Sequence, residues 1–355
     1  MNALKKSLLT FVCLLLCPPV FAAAPAPLPT AKGRTGRVGT TTAVLDRYAL
    51  RCQGRAPQRD VRTQSTALWG TKLTWDPEQV TDERRSVLAS IDGEAVRKAA
   101  AGVKALRLEE GRLVVWPESS SDVVGTVLQG TDTENNPVEV AICGAEPSAD
   151  DPSVEWYRIE AWNAVAQEWE NPCQANALAH SPRALAVSGV WDITGARQDV
   201  PGRVTLACET GAISKCVNWG YKPWAERDGK SLADLHQACT RMARADYCGN
   251  GRSHTLNGTD IDMYDAFGML KRTTHASSSW NPAHASFEAA WAPDGAACLA
   301  RTRYGQTLES IMRECPGRFR TDGAVDFEDG DRCVVRRENV TPGTVLLRNR
   351  SYGKH

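Results

Sequence analysis

Ten cysteines spread along the chain downstream of its first apolar segment constrain its fold more than any other feature. They are Cys52, Cys143, Cys173, Cys208, Cys216, Cys239, Cys248, Cys298, Cys315 and Cys333; the other two of twelve, Cys13 and Cys17, fall in a leader-like segment. There Lys5 and Lys6 give a positive start, Leu8–Leu16 an apolar run, and Val20-Phe21-Ala22 a small-residue cleavage site. Together they read as a secretory signal peptide over residues 1–22. An apolar run of about ten residues is too short for the roughly 20 that span a bilayer. A lipid anchor at Cys17 is the lesser alternative, because Leu16 stands where a lipoprotein signal carries a small residue. In an exported chain an even cysteine count reads as disulfides, here five bridges. Zinc would want cysteines two to four residues apart with clustered histidines, a spacing these ten lack.

The pairing is largely open, since ten cysteines allow about nine hundred connectivities. Cys208 and Cys216 flank Glu209 to Lys215, a hairpin-like loop, and could form a local pair. Cys239 and Cys248 would stand about 13 Å apart along a helix running through both, too far to bond.

Charge and length narrow the class. The 355 residues carry 42 Lys plus Arg against 42 Asp plus Glu; loss of Lys5 and Lys6 with the leader leaves 40 against 42, a net charge of −2. That balance lacks the basic footprint of a nucleic-acid binder. Residues 23–43 read as a flexible Ala/Pro/Gly-rich leader. Alternation then predicts strands at Ala43–Cys52, Leu68–Trp75, Arg112–Trp116, Val123–Gln129, Val138–Cys143 and Val154–Trp162, the last two as a hairpin, with one helix at Asp82–Ala101. The strands pause between Asn171 and Pro182, dividing a β-rich region, 44–172, from a disulfide-rich α+β domain, 173–355. Beyond it, strands are expected at Ala184–Trp191, Arg203–Cys208, Phe287–Trp291 and Cys298–Tyr304. A closing strand pair, Cys333–Val335 with Val345–Arg348, and a short helix at Thr307–Glu314 complete the reading. A longer helix is expected from a Ser231 cap answered by Asp234 to a stop at Gly249, with Leu232, Leu235, His236, Cys239, Met242 and Ala243 on one face. The fold class is α+β, mainly antiparallel β with a few helices, in a disulfide-rich secreted protein.

At Ala245-Asp246-Tyr247-Cys248, with Lys215 to Trp224 upstream and Gly258-Thr259-Asp260-Ile261 downstream, the chain resembles the ADYC-domain family of bacterial exported proteins, named for those four residues. The resemblance runs from about Cys173 to beyond Cys333. It implies export and a cysteine-rich fold, and it supplies neither a reaction nor a catalytic residue.

The residues themselves add candidates. Asp246 ends a helix, where the macrodipole disfavours a carboxylate by up to about 1 kcal/mol. It therefore needs loop amides or Arg241, Arg244 or Arg252 as partners, unless it is a catalytic or ligand-binding carboxylate. Tyr247 reads as a half-buried ring with a hydrogen-bonded hydroxyl, and Cys248 as half of a disulfide. His236 lies one turn before Cys239 in the pattern of a thiol and its base, but an oxidising compartment favours a bridged Cys239. Asp260, Asp262 and Asp265 miss the EF-hand ladder, so no metal is expected, nor any cofactor. His254, His275 and His284 fall in polar loops. Trp219, Tyr221 and Trp224 are the candidate ligand-binding surface, with the alternative that they cap a core beside Cys216.

The expected function is a non-catalytic binding or structural module of the bacterial envelope, its partner an envelope glycan or protein. The alternative is an extracellular hydrolase using Asp246, His254 and Asp265.

Overall fold

The computed structural model describes residues 46–54, 64–76, 78–79, 81–118, 122–175 and 182–353. The expected signal peptide, Cys17 and the leader lie outside the described residues.

Nine strands build the first layer: β1 (Ser90–Lys98), β2 (Ala105–Glu109), β3 (Arg112–Trp116), β4 (Val127–Thr131), β5 (Pro137–Pro147), β6 (Glu155–Asn163), β7 (Glu168–Glu170), β8 (Ala184–Ser188) and β9 (Arg203–Cys208). Seven of them form one sheet in the order β5-β4-β1-β9-β8-β6-β7, and β6 pairs back onto β5, closing a six-stranded antiparallel barrel with β7 outside it, while β2 and β3 pair with each other as a separate hairpin. Alternation sorts the side chains. Ala184 and Ala186 of β8, Leu206 and Cys208 of β9, and Tyr157, Ile159 and Ala161 of β6 fill the barrel. The intervening Leu185, Val187, Ala207 and Trp156 face outward, where α1 (Ala212–Asn218) covers them with Ile213 and Val217. β6 and β7 before the pause at 171–182 and β8 and β9 after it belong to one sheet, so both sides of the pause share a core.

Next come α2 (Ala233–Arg244), β10 (Ile261–Asp265), β11 (Ser286–Ala292), β12 (Gly295–Leu299), α3 (Leu308–Glu314), β13 (Val335–Arg336) and β14 (Leu347–Ser351). These strands form a second antiparallel sheet in the order β10-β14-β11-β12-β13. Leu235, Ala238 and Met242 of α2 pack on Ala289, Trp291, Leu299 and Leu347 of that sheet. Most elements sit where the sequence placed them, including β3 and β9, the β5–β6 hairpin, and α3 with Thr307 accepting from the Ser310 amide as its cap.

Five expectations about the elements are corrected. Within the expected helix at Asp82–Ala101 the chain instead forms β1. A bulge between Asp92 and Val96, which oppose adjacent Gln129 and Leu128, returns Val96 to the face of Ile91 and mimics a helical period. Gly93 fits because a Cβ there would lie 2.2 Å from the Leu106 carbonyl oxygen. In the described part of Ala43–Cys52, residues 46–52, a 3-10 turn, Arg47–Leu50, capped by Asp46, stands in place of a strand, and Leu68–Trp75 is turn with isolated bridges at Thr71 and Lys72. The closing strands do not pair with each other: β13 joins β12, while β14 lies between β10 and β11. α2 ends at Ala245, which adopts φ 51, ψ 41, four residues short of Gly249. Its first turn lacks a side-chain cap at Leu232, though the Ser231 hydroxyl accepts from the Ala233 amide.

All ten cysteines are bridged, as Cys52–Cys143, Cys173–Cys208, Cys216–Cys239, Cys248–Cys315 and Cys298–Cys333. The local Cys208–Cys216 pairing does not form. Cys208 points into the barrel and Cys216, on α1, belongs to the α2 core. With separations of 23 to 91 residues, each bridge removes roughly 3–5 kcal/mol of denatured-chain freedom in the loop-entropy description.

Candidate functional site

The C-terminal end of α2 gathers the chemistry. Its final carbonyls are closed by the Ala245 amide on Met242 and the Asp246 amide on Arg241. Ala245 is fully buried in its left-handed conformation, so its small side chain suits the position. Asp246 is buried too. Its Oδ2 accepts from Arg241 Nη1 at 2.7 Å and Arg244 Nη2 at 2.8 Å, and the amides of Asn250 and Gly251 each donate at 3.1 Å. Two arginines of the last helical turn thus answer the carboxylate that the helix end alone would repel. Burial pulls the Arg244 guanidinium down to about 10 even though the Asp246 charge opposes it.

Tyr247 turns to the other side. Its hydroxyl donates to Glu288 Oε1 at 3.1 Å and accepts from the Arg303 amide at 2.7 Å, and its ring stacks on Trp291 at 5.5 Å. Burial raises its phenol well above the ordinary range. Glu288 is saturated: Arg303 Nε and Nη2, Asn349 Nδ2 and Ser351 Oγ all donate to it, at 2.6 to 3.0 Å. Burial pushes the Glu288 carboxyl up, but Arg303 and these donors outweigh it and hold the group below its ordinary value. The rest of the Arg303 fork donates to the carbonyls of Met242 and Ala243 and to Thr255 Oγ1, tying α2 to β11. Cys248 completes the set through its bridge to Cys315 after α3. Four consecutive residues therefore supply a helix stop, a double ion pair, a hydroxyl on a buried carboxylate and a covalent tie.

The family model of the ADYC domain matches residues 120–305, more than half of the chain. The chain belongs to the ADYC-domain family. No curated protein and no solved structure matches it. The matched span begins inside the barrel and ends after β12, so the ADYC domain includes β4 to β9 together with α1, α2 and β10 to β12.

Within the ADYC domain the other sequence candidates take separate places. His254 sits against Ala245, its Nδ1 3.1 Å from that carbonyl and its Nε2 3.0 Å from Glu314 Oε2. Both ring nitrogens thus face oxygens of this same chain. Asp265 folds its own loop, accepting from the amides of Phe267, Met269 and Leu270 and from the Tyr221 hydroxyl at 3.0 Å. Among the described residues it shares no hydrogen-bond partner with Asp246 or His254. Tyr221 is fully buried, while Trp219 and Trp224 are half-buried against the two cores flanking α1. Trp224 lies over Gly111 of the β2–β3 turn, where a Cβ would come within 2.5 Å of the indole. The aromatic run thus packs between the β2–β3 hairpin, α1 and the core under α2.

His236 is buried, with Nε2 3.1 Å from the Ile213 carbonyl and the Trp191 ring edge-on at 5.8 Å. Burial lowers it to about 4. Its neighbour Cys239 is bridged to Cys216 and offers no thiol. Asp262 accepts from the Thr273 amide and hydroxyl.

Sequence reasoning missed Glu288 and Arg303, which lie 15 residues apart and meet only across the β11–β12 hairpin. The available signal was a glutamate inside the apolar run Phe287 to Trp291, on a strand with both faces covered.

Proposed function

We propose that this ADYC protein is an exported, disulfide-stabilised, non-catalytic binding or structural module of the bacterial envelope. The observation that carries the reading is that every cysteine from Cys52 onward is bridged, which suits an oxidising compartment. No helix among the described residues is long and apolar enough to cross a membrane. The groups best suited to acid–base work support the same reading, because Asp246, Asp265 and Glu288 each spend their oxygens on donors of their own chain. The hydrolase alternative would need Asp246 to leave two arginines that are themselves buried.

The test is the intact mass of the mature exported protein after thiol alkylation, with and without prior reduction. Ten labels appearing only after reduction are the expected result. Labelling of Cys239 or Cys248 without reduction would overturn it and place a free thiol beside His236 or Asp246.

A further inference from the structure

The second sheet presents a basic hollow on the face away from α2. On β14, Leu347, Asn349 and Ser351 turn toward α2 and Glu288, so strand alternation sends Arg348 and Arg350 to the opposite face. There Arg350 lies opposite Asp262 of β10, and Arg348 opposite Tyr264. The chain after β10 then crosses this face, and Lys271, Arg272, Thr273, Thr274, Asp329 and Arg350 line, with Pro282, a hollow of about 620 Å³.

Three cations meet one carboxylate there, and the cations are only partly engaged. Arg350 is 9% exposed, and its Nη2 alone is occupied, by the carbonyls of Pro282 and Ala285. Its Nη1 and Nε make no hydrogen bond among the described residues. Lys271 is exposed and has neither an ion pair nor a hydrogen bond among them. Arg272 donates Nη1 to the Asp329 carbonyl at 2.6 Å and stands 3.7 Å from Asp331. Of the neighbouring acids, Asp331 Oδ2 accepts from Tyr264 and Arg348 while its Oδ1 faces Arg272, and Asp262 accepts from Thr273, which leaves Lys271 and the unengaged edge of Arg350 as the cations open to a ligand.

We propose that this hollow binds an oxyanion group, a carboxylate, sulfate or phosphate, carried on a saccharide. Guanidinium and ammonium donors supply the charge complement. The space is far larger than a bare oxyanion needs, a water's share of volume being about 30 Å³. Thr274 and the Asp329 carboxylate at its rim suit the hydroxyls of a sugar. The assignment rests on the reading of the chain as a binding module and names its ligand class, at a surface other than the Trp219–Trp224 loop.

The experiment is calorimetric titration of the intact, oxidised protein with tetragalacturonate, inorganic phosphate and neutral maltotetraose. Tetragalacturonate is expected to bind, more weakly as salt rises from about 50 to 300 mM. Lys271→Glu is expected to weaken it by at least about tenfold with unchanged circular dichroism, as reversal of one exposed charge close to the anion should. Arg350→Gln should act in the same direction; if that variant unfolds, Lys271→Glu carries the test alone. Equal affinity in wild type and Lys271→Glu, or equal binding of maltotetraose, overturns the proposal. Phosphate binding without tetragalacturonate binding overturns the saccharide and assigns the cations to a free anion. The alkylation experiment decides the module reading separately, so a fully bridged protein that binds none of the probes refutes the hollow alone.

Discussion

The buried charges near the end of α2 are matched residue by residue, and their value lies in completeness. A buried carboxylate with two guanidinium partners costs several kcal/mol if one member is removed, because the remaining charges stay desolvated. Asp246→Asn is therefore expected to lower stability by about 3–5 kcal/mol, read by urea unfolding. A fold that tolerates Asn at full stability would show that the arginines find other partners. His236 supplies the pH dependence. Its folded-state value, about 4, lies below the ordinary 6.5, so on acidification the unfolded chain takes up a proton that the folded ring refuses. The linked stability is present above about pH 6.5 and lost as pH falls toward 4, up to roughly 3 kcal/mol. Unfolding curves at neutral pH and near pH 4.5 should differ accordingly, and His236→Leu should flatten that part of the difference. At this scale Asp246 was readable from sequence, since a carboxylate at a helix end must find donors and Arg241 and Arg244 stand within one turn. Glu288 was not, because Arg303, Asn349 and Ser351 reach it only through the pairing of β11 with β12 and β14.

Among the elements, α2 was legible because its apolar positions recur at helical spacing, although it ends at Ala245 and not at Gly249. β1 was not, since its bulge displaces the apolar positions from strict alternation and only pairing with β4 reveals the strand. The turn after α2 depends on close backbone approach. A Cβ on Gly249 would fall 1.9 Å from the Asp294 carbonyl oxygen, and its φ is +67°. Gly249→Ala should destabilise by about 2–4 kcal/mol through strain and displacement of the β11–β12 turn. A melting temperature unchanged from wild type would contradict that packing.

For the whole molecule, the barrel joins the two halves of the chain. β8 and β9 complete it between β6 and β1, so a fragment of residues 173–355 carries two barrel strands without their neighbours. That fragment is expected to lack dispersed amide signals in NMR spectra, whereas residues 45–355 together should give a folded spectrum. A well-folded fragment would instead mark the second layer as an independent unit. The bridges reinforce the same connectivity, with Cys173–Cys208 inside the barrel and Cys216–Cys239 joining α1 to α2. Sequence by itself determined what depends on composition and short range: cysteines in even number, most strands and turns, the helices α2 and α3 though not α1, and the helix-ending Ala245–Cys248 segment. Tertiary structure alone decided which cysteines meet, that the first sheet closes on itself, and that Glu288 is buried on Arg303. Each of those choices joins residues distant in sequence, where many pairings satisfy the local chemistry equally and only the packing of complete layers selects one.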